Sequence, residues 1–255
     1  MLVIVPTVPE AVHLLGDGVC EPLLAEGVAC AGVSHAPLWT LATCGFGLAA
    51  ASVGALTGML AHGSAIGGGT LLRAVLAGIT GTIDTGRAPV GTAVVVTGAV
   101  CEGIGAGTGN GFVPATMMGW SQSHARSLLP ACGDRAVPAI ADALCGLAAD
   151  PILSLTAASG DVPLRNDRAA RHRDAMVEEM DCYAGAHPPL EAQATAARLC
   201  RVDLTIIRGG SDLVGDSSNE GARRTANPAN WAVSCALSAV RMVLTCFARY
   251  PAWQV

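Results

Sequence analysis

The chain has no lysine: all 15 of its basic residues are arginine. The absence fits a GC-rich coding bias and excludes a Walker-type phosphate loop, which needs its lysine. Charge is scarce as well, with only 14% charged residues against 51% hydrophobic ones, a balance too apolar for disorder. A net charge of −5 argues against a nucleic-acid partner. No charged residue lies between Glu26 and Arg73, and Leu41 to Ala61 has the length of a bilayer span. That window is rich in alanine and holds Gly45, Gly47, Gly54 and Gly58, so a helix packed closely on a sheet fits it better. No membrane association is expected. Met1 to Val5 lacks a basic signal-peptide n-region. The ten cysteines never fall in a CxxC pair, and most have apolar neighbours, as at Cys235 and Cys246. They read as buried thiols of a reducing compartment, the cytoplasm. The six histidines show neither HxH nor HxxxH spacing, so no metal site is expected.

What remains is an alternation of short apolar runs, glycine-containing polar turns and helical stretches. Leu2 to Val5 reads as a strand, Thr7 to Glu10 as a turn and Ala11 to Leu15 as the start of a helix. Glu10 is then either an acid favoured by the helix dipole or a carboxylate facing a ligand at the sheet edge. Leu38 to Cys44 reads as a strand, Gly45-Phe46-Gly47 as a turn and Leu48 to about His62 as a helix. A helix N-terminus behind Gly47 could receive an anion or a ribose, though glycines there also simply permit a tight turn. Leu71 to Leu76 reads as a strand ending in the turn Ala77 to Thr82, and Val90 to Val96 as another strand. The glycine-rich stretch from Gly103 to Gly111 reads as a loop. Phe112 to Trp120 offers a pocket wall or a partner surface.

Ala136 to Leu147 has helical spacing, and Leu153 to Ala158 reads as a strand ending in Ser159-Gly160-Asp161. Arg168 to Met180 reads as one charged helix. Arg165, Arg168, Arg171 and Arg173 are interleaved with Asp167, Asp174, Glu178 and Glu179, the pattern of a solvated face. His187 to Ala194 suggests a lid, and Trp231 to Arg249 an apolar final helix. Strands alternating with helices predict an α/β fold in three layers, and the absence of repeats or linkers predicts a single domain over residues 1–255.

One stretch draws the chemistry together. Leu204 to Ile207 reads as a buried strand that stops at Gly209 and Gly210 and delivers Ser211 and Asp212. An acid just past the carboxyl end of such a strand sits where open α/β sheets keep their chemistry.

Several motifs occur in a telling order: Gly45 to Ala51, Ala77 to Gly81, Ser159-Gly160-Asp161, Glu179-Met180-Asp181 and Arg208 to Asp212. Together they resemble the nucleoside phosphorylase/nucleosidase superfamily. Gly86 to Gly91, Gly111 to Pro114, Met118-Gly119, Thr7 to Pro9 and Val214 to Asp216 are similar to the futalosine hydrolase family of menaquinone biosynthesis. The resemblance spans essentially the whole chain. It implies an αβα sandwich around a central twisted mixed sheet, a homo-oligomer (dimer or larger) and no cofactor.

The implied activity is hydrolysis of the N-glycosidic bond of a purine nucleoside. Breaking that bond leaves negative charge on the departing base, and an acid near N7 lowers its cost. Asp212 is the expected acid, oriented by Ser211. Glu10 is the expected base that activates water, although the resembling enzymes carry their glutamate one residue later, at Ala11. Asp181 stands where the family has a ribose-binding glutamate. Beside it, Glu179 belongs to the same motif, and Met180 would pack on the ribose. Thr80 and Gly81 would lie beneath base and sugar, and Pro163 and Leu164 would flank the base. With Arg73 the first arginine, the early loops offer no phosphate-binding arginine, so water is the expected nucleophile. The preferred substrate is futalosine, giving hypoxanthine and dehypoxanthine futalosine. The alternatives are adenine release from methylthioadenosine, adenosylhomocysteine or aminodeoxyfutalosine, and a nucleoside-binding relative without turnover.

Overall fold

The computed structural model describes residues 1–15, 24–25, 28–29, 40–66, 72–107, 111–115, 117–119, 149–155, 159–180, 202–216 and 230–249. Within them the strands are β1 (Leu2–Val5), β2 (Leu24–Ala25), β3 (Val28–Ala29), β4 (Thr40–Thr43), β5 (Leu72–Thr82) and β6 (Ala93–Glu102). They continue with β7 (Gly105–Ala106), β8 (Val113–Pro114), β9 (Ala149–Leu155), β10 (Val177–Glu179) and β11 (Val202–Leu213). The helices are α1 (Val8–Leu15), α2 (Leu48–Ile66), α3 (Val162–Arg171) and α4 (Trp231–Arg249).

The main sheet runs β10-β9-β6-β11-β5-β1-β4. Strands β4, β1, β5 and β11 are mutually parallel, whereas β6 runs antiparallel to β11. Strand β10 also pairs antiparallel with β5, so β5, β11, β6, β9 and β10 close a ring at one side of the sheet. The expected mixed sheet with helices on both faces is what the chain forms.

Period-two alternation assigns the faces. Leu2 and Ile4 of β1 join Ala51, Ala55 and Met59 of α2 in one core. Val3 and Val5 point the other way, to Ala11 and Leu14 of α1 and to α4. A strand covered on both faces has no polar side, which is why β1 is apolar throughout. In α4 the inward residues Val233, Leu237, Val240, Val243, Leu244 and Phe247 fall at helical spacing. Each contributes roughly 1.5–3 kcal/mol by leaving water. The apolar window from Leu41 holds a strand and a helix, and Gly54 explains its glycine content. A Cβ there would come within 2.5 Å of Cys44 Cα, so only glycine lets α2 lie so close. Among the described residues no helix is long and apolar enough to cross a membrane.

The element limits differ from expectation in instructive places. Helix α1 begins at Val8, so Glu10 lies inside its first turn rather than in a preceding loop. Strand β5 runs through Gly78 and Gly81 to Thr82, and β11 runs through Gly209 and Gly210 to Leu213. Asp212 is therefore inside a strand. The strand expected over Val90–Val96 lies instead at Ala93–Glu102. The charged helix expected over Arg168–Met180 is in fact two elements. Helix α3 stops at Arg171, and Val177 to Glu179 form β10. Arg168, Glu178 and Glu179 are buried, not solvated. The helix expected over Ala136–Leu147 and the lid over His187–Ala194 lie outside the described residues.

Candidate active site

Strand β11 is the platform. Its pairing with β5 is regular from Val202 to Gly210 and then shifts by one residue, with Asp212 opposite Gly81. Ser211 is thus the extra residue of a β-bulge, a device that re-aims a neighbouring side chain. The Ser211 hydroxyl donates to Oδ1 of Asp212 at 2.8 Å and lies 3.2 Å from the carbonyl of Thr80. Asp212 is only 2% exposed, so its carboxyl is held in place and largely shielded from water.

Four residues earlier the same strand carries Arg208, which is fully buried. A buried guanidinium demands carboxylates. Glu179 of β10 supplies one, with Oε2 3.8 Å from Arg208 Nη2. Glu10 lies on the other side of Gly78. A Cβ added to Gly78 would collide with Arg208 Nη1 and lie 2.8 Å from Oε1 of Glu10. Gly78 is therefore the gap through which Arg208 and Glu10 approach each other. Glu10 is anchored there: Oε1 accepts from the Ile79 N–H at 2.9 Å, and Oε2 accepts from the Thr7 hydroxyl at 2.6 Å. Despite its one-residue offset, Glu10 lies against β5.

Thr80 and Gly81 complete this floor. The Thr80 hydroxyl donates to the carbonyl of Glu178 at 2.6 Å, tying β5 to β10. Burial first, then the charges of Glu179 and Glu102, push the Cys101 thiol up to about 11. At neutral pH it is a neutral neighbour of the acids and not a nucleophile.

The turn Ser159-Gly160-Asp161 lies beside the end of β11, where a Cβ on Gly215 would come within 2.7 Å of Asp161. Asp161 caps α3 by accepting from the Leu164 N–H at 2.8 Å, and Pro163 occupies the first turn, where its missing N–H costs nothing. Pro163 and Leu164 are exposed at this end.

The structure thus brings Glu10, Thr80, Gly81, Glu179, Ser211 and Asp212 to adjoining positions on α1, β5, β10 and β11. Met180 directly follows β10 and is half-buried. Gly47 lies in the turn between β4 and α2. Phe112 precedes β8 and packs beside Gly105 of β7. Asp181 lies outside the described residues. Sequence reasoning missed Arg208 and Gly78 as members of the site. The signal was there: a lone arginine after Leu204-Thr205-Ile206-Ile207 is a charge with no route to water, so partners had to come to it. Among the described residues no group of three or more His, Cys, Asp and Glu is placed to hold a metal ion.

No family model matches the chain, and no curated protein matches it. Solved structures do. A 5′-methylthioadenosine/S-adenosylhomocysteine nucleosidase from Helicobacter pylori, bound to butyl-thio-DADMe-Immucillin-A, is similar with a TM-score of 0.65 at 14% identity. The match covers 96% of this chain and 97% of that one. Futalosine hydrolase of Helicobacter pylori is similar with a TM-score of 0.60 at 15% identity, over 95% of both chains. A putative 5′-methylthioadenosine/S-adenosylhomocysteine nucleosidase from Francisella philomiragia gives 0.63 at 18% identity, over 98% of both. The chain has the fold of these nucleosidases along nearly its whole length.

Proposed function

We propose that the protein hydrolyses the N-glycosidic bond of a purine nucleoside. The observation that carries this reading is that Asp212 and Arg208 of β11, Glu179 of β10 and Glu10 of α1 are all buried where these elements adjoin β5. In this reading water attacks the anomeric carbon of the ribose and gives a proton to Glu10. The Ile79 N–H and the Thr7 hydroxyl hold that carboxylate in place. The electron pair of the C–N bond leaves with the base, and Asp212 delivers a proton to base nitrogen N7. The products are the free base and the free sugar. Ser211 fixes one Asp212 oxygen, so the acid keeps one orientation throughout. Thr80, Gly81, Met180 and Asp181 hold base and ribose, with Pro163, Leu164 and Phe112 at the rim and Gly47 at the neighbouring helix N-terminus.

Futalosine, releasing hypoxanthine, is the first substrate of this reading, on the motifs that the chain shares with futalosine hydrolases. A second reading is adenine release from methylthioadenosine, adenosylhomocysteine or aminodeoxyfutalosine. The carboxyl at Asp212 favours it, because an acid can protonate a departing base where the amide usual in futalosine hydrolases cannot. Incubating the protein with each nucleoside and identifying the base by chromatography separates the two. Hypoxanthine from futalosine supports the first and adenine the second. Binding without release of any base contradicts both and leaves a nucleoside-binding relative.

A further inference from the structure

A second buried polar group centres on Arg168. Its Nε donates to Oε1 of Glu102 at 3.2 Å. Its Nη1 donates to the Ser159 hydroxyl oxygen at 2.7 Å and lies 3.9 Å from Oε2 of Glu178. Ser159 in turn donates twice to Glu178, from its N–H to Oε1 at 2.7 Å and from its hydroxyl to Oε2 at 2.8 Å. Glu102, at the end of β6, also receives Arg171 Nη2 at 2.7 Å and pairs with His172 Nε2. Arg168 and Arg171 are three residues apart on the last turn of α3, and His172 is its C-cap, so all three reach Glu102 from that end. Burial alone would raise the Glu102 carboxyl. The His172 hydrogen bond and the charges of Arg171, His172 and Arg168 outweigh it and hold the group down to about 2.

As a way to stabilise a helix this is inefficient, since buried ion pairs give little net stability over packed apolar side chains. The planar fork of a guanidinium does supply fixed geometry. Here the fork joins three chain segments: the end of β6, the Ser159–Asp161 turn and β10. The turn caps α3 and so places Pro163 and Leu164. Strand β10 runs directly into Met180. Asp212 and Glu10 take their positions from other contacts, to Ser211 and to Ile79 and Thr7.

We propose that Arg168 is a positioning residue, which fixes the first turn of α3 relative to Met180 through Glu102, Ser159 and Glu178 and so sets nucleoside affinity without contacting the nucleoside. The inference rests on the nucleosidase reading of the site. It is tested by steady-state kinetics of Arg168→Met and Ser159→Ala on whichever nucleoside the wild type cleaves, beside their melting temperatures. In Arg168→Met, KM rises about tenfold or more while kcat changes less than about threefold, because binding is loosened and the reacting groups are not. Added guanidinium restores KM, which a general loss of stability would not allow. Ser159→Ala keeps the Arg168–Glu102 pair and carries the test if Arg168→Met does not fold. Its KM rises about threefold or more at a near-native melting temperature. KM within about twofold of wild type in the folded variants, or a fall in kcat alone, overturns the inference and leaves the nucleosidase reading standing. A wild type that releases no base from any of the four nucleosides overturns both.

Discussion

Glu178 and Glu179 are consecutive in β10, and the pleat sends them to opposite faces. Glu178 meets Ser159 and Arg168 in hydrogen bonds of 2.7 and 2.8 Å and an ion pair at 3.9 Å. Glu179 faces Arg208 at 3.8 Å, in the group that also holds Glu10. Both regions bury carboxylates around one arginine, yet they differ in what surrounds them. The Arg168 group joins a helix to two strands and ends in Glu102, a carboxyl that two arginines and a hydrogen bond with His172 hold ionised. The Arg208 group lies beside Asp212 at a bulge, where the sheet is locally irregular. One region ties segments together, and the other gathers the carboxylates that the proposed reading assigns to catalysis. Buried charge alone would not have told them apart; the elements they connect do.

The contrast is broken most severely through Glu10. In Glu10→Gln, hydrolysis falls by about 10²–10⁴-fold, the usual contribution of a positioned acid or base. Nucleoside binding and melting temperature stay close to wild type. Rapid-quench measurement of base release, beside calorimetric titration with the nucleoside, checks this. Full activity in the variant would move the water-activating role to another group.

Glu102 gives the opposite signature. Its carboxyl sits at about 2 when folded, against an ordinary value of 4.5. The folded state therefore binds fewer protons than the unfolded one between these values. The stabilisation is complete above pH 4.5 and is lost as pH falls toward 2. Glu102→Gln lowers stability in urea melts near neutral pH while kcat is retained. The gap to wild type narrows as the melts are repeated at lower pH. A gap that does not change with pH would mean that the Glu102 charge is not what clamps α3.

The smallest effect is expected at Gly78. Gly78→Ala forces a methyl between Arg208 and Glu10 and costs about 1–3 kcal/mol of overpacking. Because the displaced atoms belong to the site, activity falls as well. A variant that loses stability but keeps full activity would show that Arg208 and Glu10 can separate without consequence.

Much of this layout was legible in the residues. The apolar tetrapeptide of β1 and the helical spacing of α4 fixed both elements at their observed limits. Glu10, Ser211 and Asp212 stood out in the residues by their places after apolar runs, and all three are buried where α1, β5 and β11 adjoin. Glycine misled the strand limits: Gly78, Gly81, Gly209 and Gly210 read as turns, whereas β5 and β11 continue straight through them. At Gly78 the missing Cβ admits other side chains and does not end a strand. Charge misled the region from Arg168 to Met180. Alternating arginines and acids look solvated in one dimension, because Glu102, which pairs with Arg168, lies 66 positions away in sequence. Arg208 was hidden for the same reason, since Glu10 is the better part of two hundred positions away.

The most direct test compares wild type with Asp212→Asn in purine base release, in buffer without phosphate. The wild type should release free base with water as the only acceptor. Asp212→Asn should fold normally and be slower in kcat by about 10²-fold or more, having lost its proton donor. A wild type inactive on every purine nucleoside, or an Asp212→Asn variant near the wild-type rate, would contradict the account.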